Sequence, residues 1–216
     1  MLLECAKSYK VEKFIQISTD EVYGSLGKEG SFTEASPIAP TNPYAASKAA
    51  ADLLVQSYFR TYGLNVNITR CSNNYGPHQH PEKLIPLMIT RAMKGRKLPV
   101  YGNGHQIRDW IHVHDHCRAI DKVLHHGKAG EIYNIGAGEE HKNIDIIRFV
   151  LRELSVSTEL IEHVSDRLGH DYRYAIDPTK LENQLGWRPI VDFEQGLQET
   201  IDWYRHNEGW WRALEK

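Results

Sequence analysis

The 216 residues contain only three cysteines, Cys5, Cys71 and Cys117, an odd number at no motif spacing. That argues against a disulfide framework and for a reducing, cytosolic compartment. Cys71 closes an apolar stretch and is expected to be packed rather than reactive. Long apolar runs are also missing: nothing approaches the roughly 20 residues of a membrane span. Glu4 and Lys7 interrupt the opening apolar residues, which speaks against a signal peptide. Net charge is close to nil, −2 from 26 Lys+Arg against 28 Asp+Glu, so no bulk attraction to nucleic acid or an anionic membrane is expected. Any anion site must be assembled locally from a few Arg and Lys. There are no repeats, no low-complexity segments and no G-x-G-x-x-G turn. Gly136-Ala137-Gly138 comes nearest, but His141 stands where the last glycine is required.

What is present is ordinary for a folded chain: 41% hydrophobic and 25% charged residues, long enough to bury a core as one large domain or two entwined lobes. Leu2, Leu3, Ala6 and Tyr9 share a helical face that begins without a capping residue. A strand over residues 14–18 follows, then a Gly- and Pro-bearing loop long enough to be functional. Asn42 is placed to cap a helix with Pro43 first, running to Tyr62 and closed by Gly63. A strand from Val66 to Cys71 comes next. This alternation predicts an α/β fold with a parallel sheet. Further helices are expected over residues 84–93, near 115–125, from a cap at Asn143, and from an Asp192/Gln195 capping box with Leu197, Ile201 and Tyr204 on one face. Strands are expected over 99–101, 109–113, 131–135 and 160–164.

Chemistry concentrates between Phe14 and Lys48. The first strand ends in Ser18-Thr19-Asp20-Glu21, at the carboxyl end where open α/β sheets bind ligands. In extended backbone the side chains of Asp20 and Glu21 would diverge and address different atoms of one substrate, one as acid and one as base. The bland alternative is a turn-forming Asp20 and a solvated Glu21. Tyr44 and Lys48 share a helix face, and a nearby ammonium favours the phenolate. Tyr9 and Lys13 have the same spacing without that context and read as solvated surface. His112, His114 and His116 would share a face only if their strand continued, and Asp115 onward looks like a helix start, so no metal site is assigned. Lys83, Arg108 and Arg167 are candidate phosphate ligands. Asp166-Arg167-Leu168-Gly169-His170-Asp171 reads as a polar, ligand-contacting loop. Capping would by itself explain Asn143.

With these motifs laid out, the chain resembles the extended short-chain dehydrogenase/reductase family, and within it the nucleotide-sugar 4,6-dehydratases. The carrying residues are Ser18 to Gly24, Tyr44-Ala45-Ala46-Ser47-Lys48, Cys71 to Pro77, Pro81 to Pro86, Gln106 to Trp110 and Asp166 to Asp171. The Thr19-Asp20-Glu21 triplet is the specific part, since sugar-nucleotide epimerases look similar but lack that acid–base pair. The resemblance implies a Rossmann-like region over residues 1–76 and a mainly nucleotide-sugar-binding lobe over 77–216, with about 109–136 returning to the first. It implies NAD as cofactor, touched by Ser18, Tyr44, Lys48 and Asn74, and a nucleotide sugar, dTDP-glucose, as substrate. Tyr44 with Lys48 would deprotonate the sugar 4-hydroxyl, Glu21 would remove the C5 proton, Asp20 would protonate the departing 6-hydroxyl, and Thr19 would bond near the 4-oxygen. Asn73, Lys83, Leu84, Pro99, Val100, Tyr101, Arg108, Asn143, Asp166, Arg167, Leu168, Gly169 and His170 would hold the nucleotide sugar. A homodimer, through helices such as the one from Pro43, is the implied assembly. Family members open with a strand and a glycine-rich turn for the NAD pyrophosphate. The resemblance therefore implies that the NAD-phosphate half of the sheet is missing, leaving the C-terminal part of a Rossmann-like sheet plus a smaller lobe. It also implies weak NAD binding, impaired turnover, and a first strand left as a sheet edge.

Overall fold

The computed structural model describes residues 1–166, 169 and 171–214. Helix α1, Leu2–Ser8, has no side-chain cap and leads into β1, Phe14–Thr19. Thr19 then caps a single 3₁₀ turn, Asp20–Tyr23, by accepting from the Glu21 amide. Gly24 closes that turn at φ 88, where a Cβ would lie 2.4 Å from the Ala39 carbonyl oxygen, so only glycine fits. Helix α2, Pro43–Tyr62, starts and stops as its chemistry dictates: the Asn42 side chain accepts from the Ala45 amide, and Gly63 is left-handed. Strands β2, Val66–Cys71, and β3, Asn73–Tyr75, follow, then α3, Leu84–Met93, β4, Leu98–Tyr101, and β5, Ile107–His112. Next come α4, Val113–His126, β6, Ile132–Ile135, β7, Glu140–Lys142, α5, Asn143–Glu153, and β8, Ile161–Val164. The chain ends with α6, Thr179–Leu185, α7, Phe193–His206, and α8, Glu208–Arg212.

Among the described residues one parallel sheet has the order β1-β2-β6, with Phe14 opposite Val66 and Ile68 opposite Ile132. Strand β1 is therefore an edge, as expected. Strand β2 is buried on both faces, and its alternating residues divide between two cores. Val66 and Ile68 pack with Val55 of α2 and Ala6 of α1, whereas Cys71 packs with Ala119 and Val123 of α4 and Leu181 of α6. The other sheets are β3-β5-β7, with β5-β7 antiparallel, and the pair β4-β8. A larger core joins α3, α5, α7 and α8 around Leu98, Val100 and Trp110.

One connection has no regular secondary structure but stitches the molecule together. On one side of residues 171–177, the Leu26 amide donates to the Arg173 carbonyl (3.0 Å) and the Phe32 amide to the Ala175 carbonyl (2.9 Å). On the other, the Ile107 amide donates to the Tyr172 carbonyl (2.9 Å) and the Tyr174 amide to the Ile107 carbonyl (3.3 Å). The Arg173 guanidinium adds a two-point ion pair with Glu140, at 2.5 and 2.7 Å.

Several expectations change. Helix α4 begins at Val113, two residues earlier than expected, because the His112 ring accepts from the His114 amide; the helix start does break the alternation, so the three imidazoles do not share a strand face. Asn143 is not a cap: Lys142 precedes α5 without a capping bond, and the Asn143 amide is taken by the Gln106 carbonyl. Only half of the Asp192 capping box forms, because the Gln195 side chain bonds Glu199 instead of reaching back. Lys13 is not solvated surface; its ammonium donates to the Val123 and Gly127 carbonyls at 3.1 and 2.9 Å, tying the end of α4 to β1. Helices α6 and α8 and strand β7 were not anticipated.

Candidate active site

The carboxyl end of β1 and the junction between β2 and β3 at Asn73 open on a cleft of about 640 Å³. Glu21, Tyr44, Asn73, Lys83, Leu84, Tyr101, Arg108, Asn143 and Gly169 line it. So do Asn42, Glu82, Leu87, Met88, Trp110 and Tyr174, which the sequence does not single out as ligand contacts, and Asp171, the last residue of the polar loop expected to contact ligand. Pro99 and Val100 are not in the wall; the Val100 side chain is buried in the large core. Asp166 faces Gln106, whose amide donates to it at 2.9 Å, and also lies outside the lining. Arg167, Leu168 and His170 lie outside the described residues.

Asp20 and Glu21 diverge, but by a different route from the extended one expected, since both sit in the 3₁₀ turn. Asp20 is buried, with Oδ1 accepting from the Thr19 hydroxyl at 3.2 Å and Oδ2 enclosed without a partner. Burial first, then the charges of Asp109 and Glu21, push its carboxyl up to about 7, against the pull of Thr19 and Arg108. Asp20 is thus a carboxylic acid poised near neutrality. Glu21 reaches the cleft, and its carboxylate accepts from the Asn42 amide at 3.2 Å. Asn42 therefore both caps α2 and orients an acid. Asn42→Ala is expected to lower stability by about 1 kcal/mol, whereas Asn42→Asp, which keeps a capping oxygen, should cost less; urea denaturation of both variants checks this.

Tyr44 lies at the cleft mouth, half exposed, and its phenol is raised from its ordinary value by burial and then by Glu21, Cys71 and Asp20. That corrects the expected depression by Lys48. The Lys48 ammonium donates to the Ile17 carbonyl on the edge strand at 2.5 Å, and the acids dominate the phenol's surroundings. Cys71 is packed as expected, its thiol pushed up to about 12 by burial. Asn74 has its amide committed: Nδ2 donates to the Ser72 carbonyl at 3.1 Å and contacts the Cys71 sulfur, and Oδ1 meets the His116 ring at 2.8 Å. The ammonium of Lys83 pairs with Glu82 at 3.2 Å at the rim. Arg108 is buried, its guanidinium 4.4 Å from the Tyr174 ring centre and donating to the Asp171 carbonyl at 2.9 Å. Asn143 Oδ1 is buried without a partner.

A carboxylate, a phenol and a guanidinium, those of Glu21, Tyr44 and Arg108, therefore converge on one cavity, with the buried acid Asp20 directly behind Glu21 in the same turn and outside the lining. Such a set can move protons at neighbouring atoms of a bound anion-bearing ligand.

A family model described as GDP-mannose 4,6 dehydratase matches residues 1–200. A dTDP-glucose 4,6-dehydratase of Streptomyces niveus is 52% identical over 215 residues, covering 100% of this chain and 64% of that protein. The crystal structure of a dTDP-glucose 4,6-dehydratase from Streptomyces venezuelae, with NAD and TYD bound, superposes with a TM-score of 0.97 at 52% identity, covering 99% of this chain and 66% of that one. A Thermus thermophilus UDP-glucose 4-epimerase complex with NAD gives a TM-score of 0.89 at 32% identity, covering 95% and 68%. The chain thus spans a little under two thirds of the length of the curated relatives it matches first.

Proposed function

The chain belongs to the family described as GDP-mannose 4,6 dehydratase, and we propose that its cleft carries the chemistry of a dTDP-glucose 4,6-dehydratase, an NAD-dependent lyase. The observation that carries this reading is Asp20: a buried acid raised to about 7 beside Glu21 at the end of β1. Epimerisation at C4 needs no such acid; loss of water from C6 does. Relatives about half identical in sequence bear the dehydratase name, whereas the epimerase structure is 32% identical.

In this reading Tyr44 takes the proton of the sugar 4-hydroxyl, Glu21 removes the C5 proton once C4 is a ketone, and Asp20 delivers its proton to the departing 6-oxygen as water. Thr19 bonds near the 4-oxygen and holds Asp20. Lys83, Arg108 and the polar rim take the nucleoside diphosphate. NAD would supply the acceptance and return of hydride. The donor set fits its nicotinamide end: the Lys48 ammonium, bonded to the Ile17 carbonyl next to Ser18, has protons beyond the one given there, and the Asn74 amide is fixed on the Ser72 carbonyl just after β2. Among the described residues no strand leads through a glycine-rich turn into a helix, so the pyrophosphate has no such seat in them.

Residues 1–76 with the returning stretch near 109–136 form the Rossmann-like region in this proposal, and most of 77–216 forms the nucleotide-sugar lobe. The separate cores on the β1-β2-β6 sheet and around α3, α5 and α7 support that division. A homodimer is supported by Leu53 and Leu54, exposed on α2. A cytoplasmic location fits an enzyme using NAD and nucleotide sugars; no helix of the described residues is long and apolar enough to cross a membrane.

Thermal shift with dTDP, UDP, GDP and NAD tests the reading. dTDP at about 100 times its Kd should stabilise the chain by about 2.7 kcal/mol, with NAD giving much less. Equal shifts with UDP or GDP would move the assignment to another nucleotide sugar, and no shift with any nucleoside diphosphate would remove it.

A further inference from the structure

The two walls of the cleft are joined through Tyr174, Asp171 and Thr41, which the proposed chemistry does not use. Arg108, on β5, lies against the Tyr174 ring, 4.4 Å from its centre, and bonds the backbone of the 171–174 segment. The Tyr174 hydroxyl donates to Asp171 Oδ2. The same carboxylate oxygen accepts from the Thr41 hydroxyl at 2.6 Å, across 130 residues of sequence. Thr41 adjoins Asn42, which caps α2 and holds Glu21 at 3.2 Å. A continuous path therefore runs from the guanidinium on one wall to the acid on the other. The middle of the path is enclosed, with Asp171 8% and Tyr174 4% exposed. Burial raises the Tyr174 phenol far above its ordinary value, so it remains a donor at any working pH.

We propose that Asp171 and Tyr174 are positioning residues, which aim Arg108 into the cleft and, through Thr41 and Asn42, set Glu21 in register with whatever anion Arg108 holds. Tyr174 does this in two separable ways: the ring fixes the plane of the guanidinium, and the hydroxyl fixes the carboxylate. Arg108 can present its remaining N–H groups to a diphosphate because its others are spent on the Ile107 and Asp171 carbonyls. In this proposal an anion held by Arg108 biases the setting of Glu21 through that path.

This inference rests on the nucleotide-sugar reading of the cleft, and calorimetry with dTDP on the 216-residue chain separates the two. Tyr174→Leu should weaken dTDP binding about tenfold, and Tyr174→Phe, which keeps the ring, by less than about threefold. Tyr174→Leu in an Arg108→Met background should add nothing further, because the tyrosine acts through the arginine. Thr41 is exposed, so Thr41→Val leaves the fold intact and provides the second arm. In the parent chain dTDP should slow amide exchange in the first turn of α2, residues 43–46, and in Thr41→Val that protection should vanish while affinity stays within about threefold. If dTDP binds the parent but the Tyr174 and Arg108 losses add, or protection survives Thr41→Val, the positioning role is overturned and the cleft assignment stands. If dTDP does not bind the parent chain at all, the cleft assignment fails and the positioning role fails with it.

Discussion

Asp20→Asn is expected to make the protein more stable than the parent at pH 8 by roughly 2–4 kcal/mol, and to make little difference near pH 4. An unfolded aspartate has the ordinary value of 3.8, whereas burial beside Asp109 and Glu21 raises the folded one to about 7. A raised acid binds its proton more tightly when folded. The stability it contributes is therefore complete below pH 4 and is lost as pH climbs through 7, where the folded state must ionise a carboxyl that has no partner for Oδ2. The asparagine cannot ionise and escapes that loss. Urea midpoints measured for both chains from pH 4 to pH 8.5 should show a gap that opens between about 4 and 7 and then levels off. A gap of the same size at every pH would mean that the proton of Asp20 is not what the fold is storing. The same substitution removes the proton donor that the proposed elimination requires, so this variant exchanges reactivity for stability.

Arg70→Met should cost about 3–5 kcal/mol, a large share of the stability of an ordinary domain. Arg70 and Asp52 are 2% and 1% exposed, paired at 2.9 Å between β2 and α2. The guanidinium also lies 4.8 Å from the ring centre of Tyr23, whose hydroxyl donates to Asn134 at 2.8 Å on β6. Burial raises the Asp52 carboxyl even with Arg70 beside it, so removing the arginine leaves an acid with no means of being solvated. Arg70→Met combined with Asp52→Leu should recover most of the loss, and guanidinium denaturation of the single and double variants measures how much. Asp52 stands one turn after Lys48 and two after Tyr44 on the same helix. The pair thus fixes how the face of α2 that carries Tyr44 and Lys48 sits over the sheet.

Which parts of this were readable beforehand follows from the range of the forces involved. Helix α2 was located to the residue because its signals are local: a capping amide, a first-turn proline and a left-handed glycine. Strands β1 and β2 were readable because Phe14, Ile15 and Ile17 in the first, and the alternating Val66 and Ile68 in the second, mark short extended segments bounded by polar and turn residues. Glu21, Tyr44 and Arg108 were candidates from strand-end, helix-face and charge reasoning, with motif resemblance supplying their roles, and the structure places all three on one cavity. What could not be read depended on partners distant in sequence. The spacing of Tyr44 and Lys48 is correct, yet the charges around the phenol come from Glu21 and Asp20, and Lys48 is drawn to a strand-edge carbonyl. Lys13 looked like surface because the carbonyls it satisfies are over a hundred residues away. Asp171 closes the loop expected to contact ligand and Tyr174 follows it by three residues, but only three-dimensional proximity to Thr41 and Arg108 gives them their part. Helix α6 is too short for periodicity to mark it.

The stitching by residues 171–177 also bears on how the molecule comes into being. A chain made from its N-terminus can form α2 and pair β1 with β2 early, within its first 71 residues. The contacts of the loop after Gly24 with the Arg173 and Ala175 carbonyls, and the Thr41–Asp171 bond, must wait until the last quarter of the chain has been synthesised. Until then the acids at the end of β1 sit in an unfinished wall, and non-local closure of this kind is slow. Ribosome-bound intermediates halted before residue 171 would thus hold a folded sheet and an unmade cleft, and the last pieces to arrive would be those that bring its two sides together.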